Sequence, residues 1–280
     1  MTESDLKSGK DSAGRDQMLP YPGVRERYRD VCRRVAAAAE ASGRTAKDVL
    51  VVAVTKFAQP EQIRQLIELG HADFGENRVQ NLVKRIAPIE EFLERHRTLT
   101  SSKRVDLPER IRWHMIGHLQ RNKVKKVLDL VTLVHSVDTL RLAEEIQEAA
   151  MRQDRVVDVL IQINSSLEKS KFGLALPAAR HLAQLIGTMA NIRLRGMMTM
   201  GPLTDDESLI RVCFERCSDC FVEIQTSGEG GPAFNILSMG MTNDFELAIE
   251  YGANIVRIGS AIFGDRTESM PGDDGDESED

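Results

Sequence analysis

No stretch of this chain approaches the ~20 apolar residues needed to span a bilayer. Its longest apolar runs are strand-sized, around six residues. The start, Met1 to Gln17, is polar and mixed in charge with no apolar signal region, so a cytoplasmic location is expected. Aromatics are sparse at 5%, yet 41% hydrophobic residues in 280 can build a sizeable core. No Gly-, Pro- or Ser-rich linker divides the chain, and nothing repeats beyond a strand-helix unit. A concentrated basic patch is also missing. Arg121, Lys123, Lys125 and Lys126 form the one candidate, read as a solvated helix face, so nucleic acid is not an expected partner. The formal charge of −6 carries no message about partners either. Asp273, Asp274, Asp276, Glu277, Glu279 and Asp280 supply six negative charges in the tail alone.

What is present is alternation. Strand-like runs stand at 49–55, 72–74, 113–116, 130–135, 157–163, 194–200, 235–239 and 255–258. Helix-period segments follow nearly every one, at 61–69, 78–95, 121–128, 139–151, 177–189, 206–226 and 243–251. A further helix, 24–42, precedes the first strand and stops at Gly43. Apolar strands alternating with helices indicate a parallel sheet covered on both faces. The length favours a single closed (β/α)8 TIM-type barrel with an extra N-terminal helix; an open doubly wound sheet is the alternative. The barrel is expected over residues 20–266, between disordered tails at 1–19 and 267–280. Polar residues 97–110 read as an irregular insertion.

Lys56 closes the first strand, and small-residue turns close the last two: Ser238-Met239-Gly240-Met241-Thr242 and Arg257-Ile258-Gly259-Ser260. A closed barrel sets its first strand beside its last. One amine and two turns suited to a phosphate would then face one pocket, the geometry of a pyridoxal phosphate site. A desolvated Lys56 amine would lose its proton easily and attack an aldehyde. Thr242 is expected to N-cap helix 243–251, whose start makes an anion seat. Gly259 and Ser260 offer a second small turn, where barrels of this class often hold a phosphate. Arg257 points the same way as Gly259 by strand alternation. Its guanidinium would keep a cofactor ring nitrogen unprotonated, which disfavours transaminase-like chemistry.

Six runs of this sequence carry a resemblance. They are Val52-Ala53-Val54-Thr55-Lys56, Phe74-Gly75-Glu76-Asn77-Arg78-Val79-Gln80, Trp113 to Lys123, Ser170-Lys171-Phe172-Gly173, Leu237 to Asp244, and Val256 to Gly264. Over roughly residues 24–266 the chain resembles the pyridoxal phosphate homeostasis protein family. The resemblance implies a barrel like the N-terminal domain of alanine racemase, holding pyridoxal 5'-phosphate as a Schiff base on Lys56. It also implies Arg257 at the ring nitrogen, Thr242, Gly259 and Ser260 on the phosphate, and Asn77 near the ring. Family members are carriers or regulators of vitamin B6 and amino-acid balance without established turnover, with pyridoxal phosphate-dependent apoenzymes as candidate recipients. Two departures stand out: Ala58 where many members carry lysine, and His118 where many carry proline.

Two other signals compete. Cys213, Cys217 and Cys220 have the spacing of a radical-SAM iron–sulfur motif, but at i, i+4 and i+7 of a helix they read as one inward face. Disulfides are not expected in the cytoplasm. His114 and His118 lack a third ligand, so no metal site is expected. Against a carrier stands an amino-acid racemase, which needs a base on each face of the carbanion. The chain continues only a few residues past its last motif, and on this reading no β-rich second domain helps supply the opposite base. The expectation is a monomeric carrier, not an enzyme; racemase remains the alternative, and an iron–sulfur enzyme the remote one.

Overall fold

The computed structural model describes residues 23–99, 107–168 and 172–264. The expected tails at 1–19 and 267–280 lie outside the described residues, as do Ser170 and Lys171. Helix α1 (Val24–Ala41) repeats Val24, Val31, Val35 and Ala39 along one buried stripe. After it run β1 (Leu50–Val54), α2 (Pro60–Glu68), β2 (Asp73–Glu76), α3 (Val79–Leu99) and β3 (Arg112–Met115). The middle holds α4 (Val124–Val127), β4 (Leu133–Val137), α5 (Leu140–Arg152), β5 (Val157–Gln162) and α6 (Leu176–Gly187). The chain closes with β6 (Ile192–Met198), α7 (Glu207–Ser227), β7 (Ile236–Ser238), α8 (Phe245–Glu250), β8 (Ile255–Ile258) and α9 (Ser260–Phe263).

The eight strands form a closed barrel in sequence order, every pair parallel. Closure is made by β1 against β8, with Val52 beside Arg257 and Ala53 beside Ile258. The open-sheet alternative is thereby excluded. Alternation along each strand divides the core. Val52, Leu133, Leu160, Met198 and Ile255 pack inside the barrel, while the larger cluster, including Ala53, Phe74, Val134, Ile161 and Val256, faces the helices. Gly75 points inward, and a Cβ there would sit 2.9 Å from Val52 Cγ1. Its missing side chain leaves room for the inner layer.

Some boundaries differ from the sequence reading. Helix α3 continues to Leu99 through Pro88, so residues 97–99 of the irregular insertion expected at 97–110 are helical, and 100–106 lie outside the described residues. Segment 121–128 breaks into a 3-10 turn, Arg121–Lys123, and the single turn of α4. Its apolar positions, Val124, Val127 and Leu128, extend over too few turns to hold a longer helix against the sheet.

Helix α1 braces the closing end of the barrel. Arg34 pairs with Glu246 at 2.5 Å, Arg27 Nε donates to the Ile262 carbonyl at 2.9 Å, and the Tyr28 hydroxyl meets His71 Nδ1 at 2.9 Å. His71 Nε2 lies 2.7 Å from the Asp73 carbonyl, which can only accept. Nε2 therefore carries the proton and Nδ1 accepts from Tyr28. Burial lowers the His71 pKa to about 4. The turn after β7 depends on Gly240, at φ +93°, where a Cβ would stand 2.6 Å from Ala248 Cβ and 2.9 Å from Phe245 Cα.

Two predictions follow from these contacts. A histidine neutral in the native state takes up its proton only on unfolding as pH falls from about 6.5 to about 4, so stability declines by up to about 1.4 kcal/mol per pH unit for that group. Urea unfolding at pH 7, 6 and 5 should show this slope and a flatter one in His71→Gln; equal slopes would remove His71 as its source. Gly240→Ala should cost about 2–3 kcal/mol, from positive-φ strain and overpacking against α8, read as a lower urea midpoint.

Candidate functional site

The carboxyl ends of the strands surround a cavity of ≈ 1080 Å³. All six residues singled out from the sequence, Lys56, Asn77, Thr242, Arg257, Gly259 and Ser260, line it. They come from four places, the ends of β1, β2, β7 and β8, which closure brings together.

Lys56 continues the inward series Val52, Val54 of β1, one residue beyond Thr55, whose N–H donates to the Gly75 carbonyl at 3.0 Å. The expected desolvation of its amine is not found. Lys56 is exposed, with Nζ 5.0 Å above the Phe57 ring, because the chain has left the sheet and entered the open mouth. The turn that carries it is clamped from behind. Thr55 Oγ1 donates to buried Glu76 Oε1 at 2.6 Å, Arg85 Nε pairs with the same oxygen at 2.7 Å, and Arg85 Nη1 donates to the Ala58 carbonyl at 2.9 Å. Burial raises the Glu76 pKa against the Thr55 and Arg85 contacts. Ala58 is buried inside this clamp.

Arg257 is not a rim residue. It is buried on the cavity floor, donating Nη1 to Ser238 Oγ at 2.7 Å and Nη2 to the Thr199 carbonyl at 2.8 Å. Burial lowers its pKa to about 10, which leaves a cation at neutral pH. Asn77 presents a buried Oδ1 with no hydrogen-bond partner among the described residues. An orphaned acceptor at a cavity wall is an open valence for a bound molecule's donor.

Thr242 departs from expectation. It does not cap the next helix, which begins only at Phe245 with Asp244 at its cap position. The Asp244 carboxylate accepts the Met241 N–H at 2.5 Å and occupies the turn, so that short helix offers no anion seat. Thr242 instead bridges to the β8 turn. Its Oγ1 lies 3.3 Å from Ser260 Oγ and accepts the Ala261 N–H at 3.4 Å. Two hydroxyls from two turns thus stand together beside Gly259. These residues fit pyridoxal phosphate: a reachable amine for its aldehyde, paired hydroxyls for its phosphate, and a buried cation for its ring.

Sequence reading missed the groups behind this surface. Arg257 is held by the Ser238 hydroxyl, a polar position at the end of β7, and by the backbone carbonyl of Thr199, one residue past β6, which no side-chain signal marks. At the rim, His118 stacks on Phe172 with centroids 4.5 Å apart, and its Nδ1 lies 3.7 Å from Asp138. His114, read as a buried strand residue, is buried, and His118 is an exposed loop residue. The cysteine face of α7 turns inward as expected, with Cys213 and Cys217 buried and Cys220 half-buried. Among the described residues no helix is long and apolar enough to cross a membrane.

Residues 33–267 match the family model of the alanine racemase N-terminal domain. A pyridoxal phosphate homeostasis protein of Aquifex aeolicus is 37% identical over 241 residues, 86% of this chain and 97% of that protein. A solved protein of Bifidobacterium adolescentis, described as unknown, superposes at TM-score 0.77 with 40% identity, over 86% of this chain and 94% of the other. PipY of Synechococcus elongatus, solved with PLP bound, superposes at TM-score 0.68 with 27% identity, over 84% of this chain and all of PipY. With the family model matched over most of its length and a relative matched almost end to end, this chain belongs to the pyridoxal phosphate homeostasis protein family, built on the alanine racemase N-terminal domain.

Proposed function

We propose that this protein is a cytoplasmic, monomeric carrier of pyridoxal 5'-phosphate, which it holds by a covalent bond from Lys56 and releases to apoenzymes. The observation that carries the reading is the meeting of Lys56, Arg257 and the Thr242–Ser260 hydroxyl pair around one cavity. PipY, solved with PLP bound, supports it. Bound there, the cofactor supplies an aldehyde that captures amines and a ring that withdraws electrons.

The chain's own residues do the rest. Lys56 provides the nucleophilic amine, and its exposure at an open mouth leaves the bond accessible to an incoming amine, as delivery requires. Thr242 and Ser260 donate hydroxyl protons to the phosphate, and Gly259 lets the backbone approach it. Asn77 Oδ1 accepts from the bound molecule. Arg257 remains a cation beside the ring nitrogen and keeps that atom unprotonated, which weakens the electron sink. The reading is therefore of storage and buffering of a reactive aldehyde, without turnover.

The test is borohydride reduction after incubation with pyridoxal phosphate, followed by peptide mass analysis. One pyridoxyl adduct on Lys56, lost in Lys56→Ala, is expected; an adduct on another lysine, or none, overturns the assignment. The holoprotein incubated with single-enantiomer amino acids should leave their configuration unchanged. Inversion that disappears in Lys56→Ala would make it a racemase.

A further inference from the structure

Inside the barrel, below the cavity, five inward positions on five strands carry polar side chains in a row. Asp73 on β2, His114 on β3, His135 on β4, Ser238 on β7 and Arg257 on β8 are all buried. Each touches the next. Asp73 Oδ1 lies 3.3 Å from His114 Nε2, His114 Nδ1 lies 2.9 Å from His135 Nε2, and His135 Nδ1 lies 3.0 Å from Ser238 Oγ. Arg257 Nη1 completes the row at 2.7 Å from the same Oγ. At the other end, Arg112 donates Nε to Asp73 Oδ1 at 2.7 Å from the partly exposed barrel base. The row therefore runs from the base of the barrel to the floor of the cavity.

Chemistry gives the row one direction. Burial raises the Asp73 pKa, but hydrogen bonds from His114 and Arg112 outweigh it and hold the carboxyl at about 2. An ionised carboxylate only accepts, so His114 Nε2 carries a proton. If that is the only proton on the His114 ring, Nδ1 is an acceptor, which puts the His135 proton on Nε2. His135 is held well below the usual imidazole range by burial, then by His114 and Arg257, and is neutral. Its Nδ1 accepts from the Ser238 hydroxyl, whose oxygen accepts from Arg257. Reversing one ring sets two protons or two lone pairs face to face. Reversing both leaves a lone pair against the Asp73 carboxylate. The remaining charged or titratable neighbours include His71 and Tyr28 beside Asp73, and Asp244 and Cys217 beside Arg257.

We propose that this row is a positioning device for Arg257, in which His135, through Ser238, fixes the guanidinium on the cavity floor and Asp73 sets the direction of every proton between them. The role rests on the reading above, that Arg257 faces the cofactor's ring. His135 touches nothing that reacts. It acts by holding the Ser238 hydroxyl in the one orientation that leaves its oxygen free for Arg257, as members of a fully satisfied buried network do.

Two measurements test this, one without the cofactor. Long-range 1H–15N correlation spectra of the histidine rings, assigned with variants at 114 and 135, should show both rings as neutral Nε2–H tautomers at pH 7. An Nδ1–H ring or a doubly protonated ring at either position overturns the proposal. In the second, pyridoxal phosphate binding is measured for the wild type, His135→Leu and His135→Asn, each checked for native circular dichroism. Leucine removes the acceptor for Ser238, whereas the Asn side-chain oxygen restores it near the Nδ1 position. His135→Leu should bind about tenfold more weakly, the scale of a hydrogen bond to a charged group, with a displaced absorption maximum of the bound cofactor. His135→Asn should return to within about twofold, with the wild-type spectrum, because its hydrogen bond is restored. Wild-type affinity and spectrum in His135→Leu would overturn the positioning role. Failure of the wild type itself to bind would instead overturn the cofactor reading, while the tautomer measurement still decides the row.

Discussion

Pairing of the first strand with the last is the constraint on which the site depends. Val52 beside Arg257 and Ala53 beside Ile258 fix the register of β1 on β8. Because alternate residues face one way, that register sends Val54 and Lys56 to the same side as Arg257 and Gly259. A Cβ at Gly259 would lie 3.4 Å from the Val54 carbonyl, an ordinary contact that sets the two strand ends side by side. A one-residue slip would turn Lys56 outward and leave the two hydroxyl turns facing nothing. Closure thus makes a site from segments about 200 residues apart in sequence, and α1 holds the closing turns through Arg27 and Arg34.

The interior of the barrel is divided between two kinds of cohesion. Part of it is filled by Val52, Leu133, Leu160, Met198 and Ile255, the apolar layer expected of a packed barrel. The polar row from Asp73 to Arg257 crosses the rest. Burying a guanidinium is unfavourable unless its donors are met, and here Ser238 and Thr199 meet them with neutral oxygens. Among the described residues no carboxylate pairs directly with Arg257, so its charge stays available to the cavity. A salt bridge in the same place would have spent that charge on the fold.

Lys56 is held by different means. Its turn is anchored at Thr55 and Ala58 by the buried Glu76–Arg85 pair, while the amine itself extends into the open mouth. Rigid backbone and exposed side chain suit the proposed carrier role, in which the attachment point stays fixed and the bond stays reachable. The helix dipole expected beneath the phosphate does not serve, since Asp244 fills that turn. In the proposed function, paired hydroxyls from two loops take its place.

The chain's linear order revealed the eight strands, the helices between them and five of the six residues at the cavity, because strand alternation and small-residue turns are local signals. Asn77 came through resemblance, and its orphaned oxygen appears only in the folded cavity. Local signals misplaced the cap of α8, where Thr242 and Asp244 compete within one turn and only packing chooses between them. They also predicted a buried Lys56 amine, since burial at a strand's end depends on what covers it from elsewhere. The row behind Arg257 was beyond reach for the same reason. Asp73, His114, His135 and Ser238 are scattered single polar residues along the chain, and only the closed barrel, by setting strands β2, β3, β4, β7 and β8 around one interior, makes them neighbours.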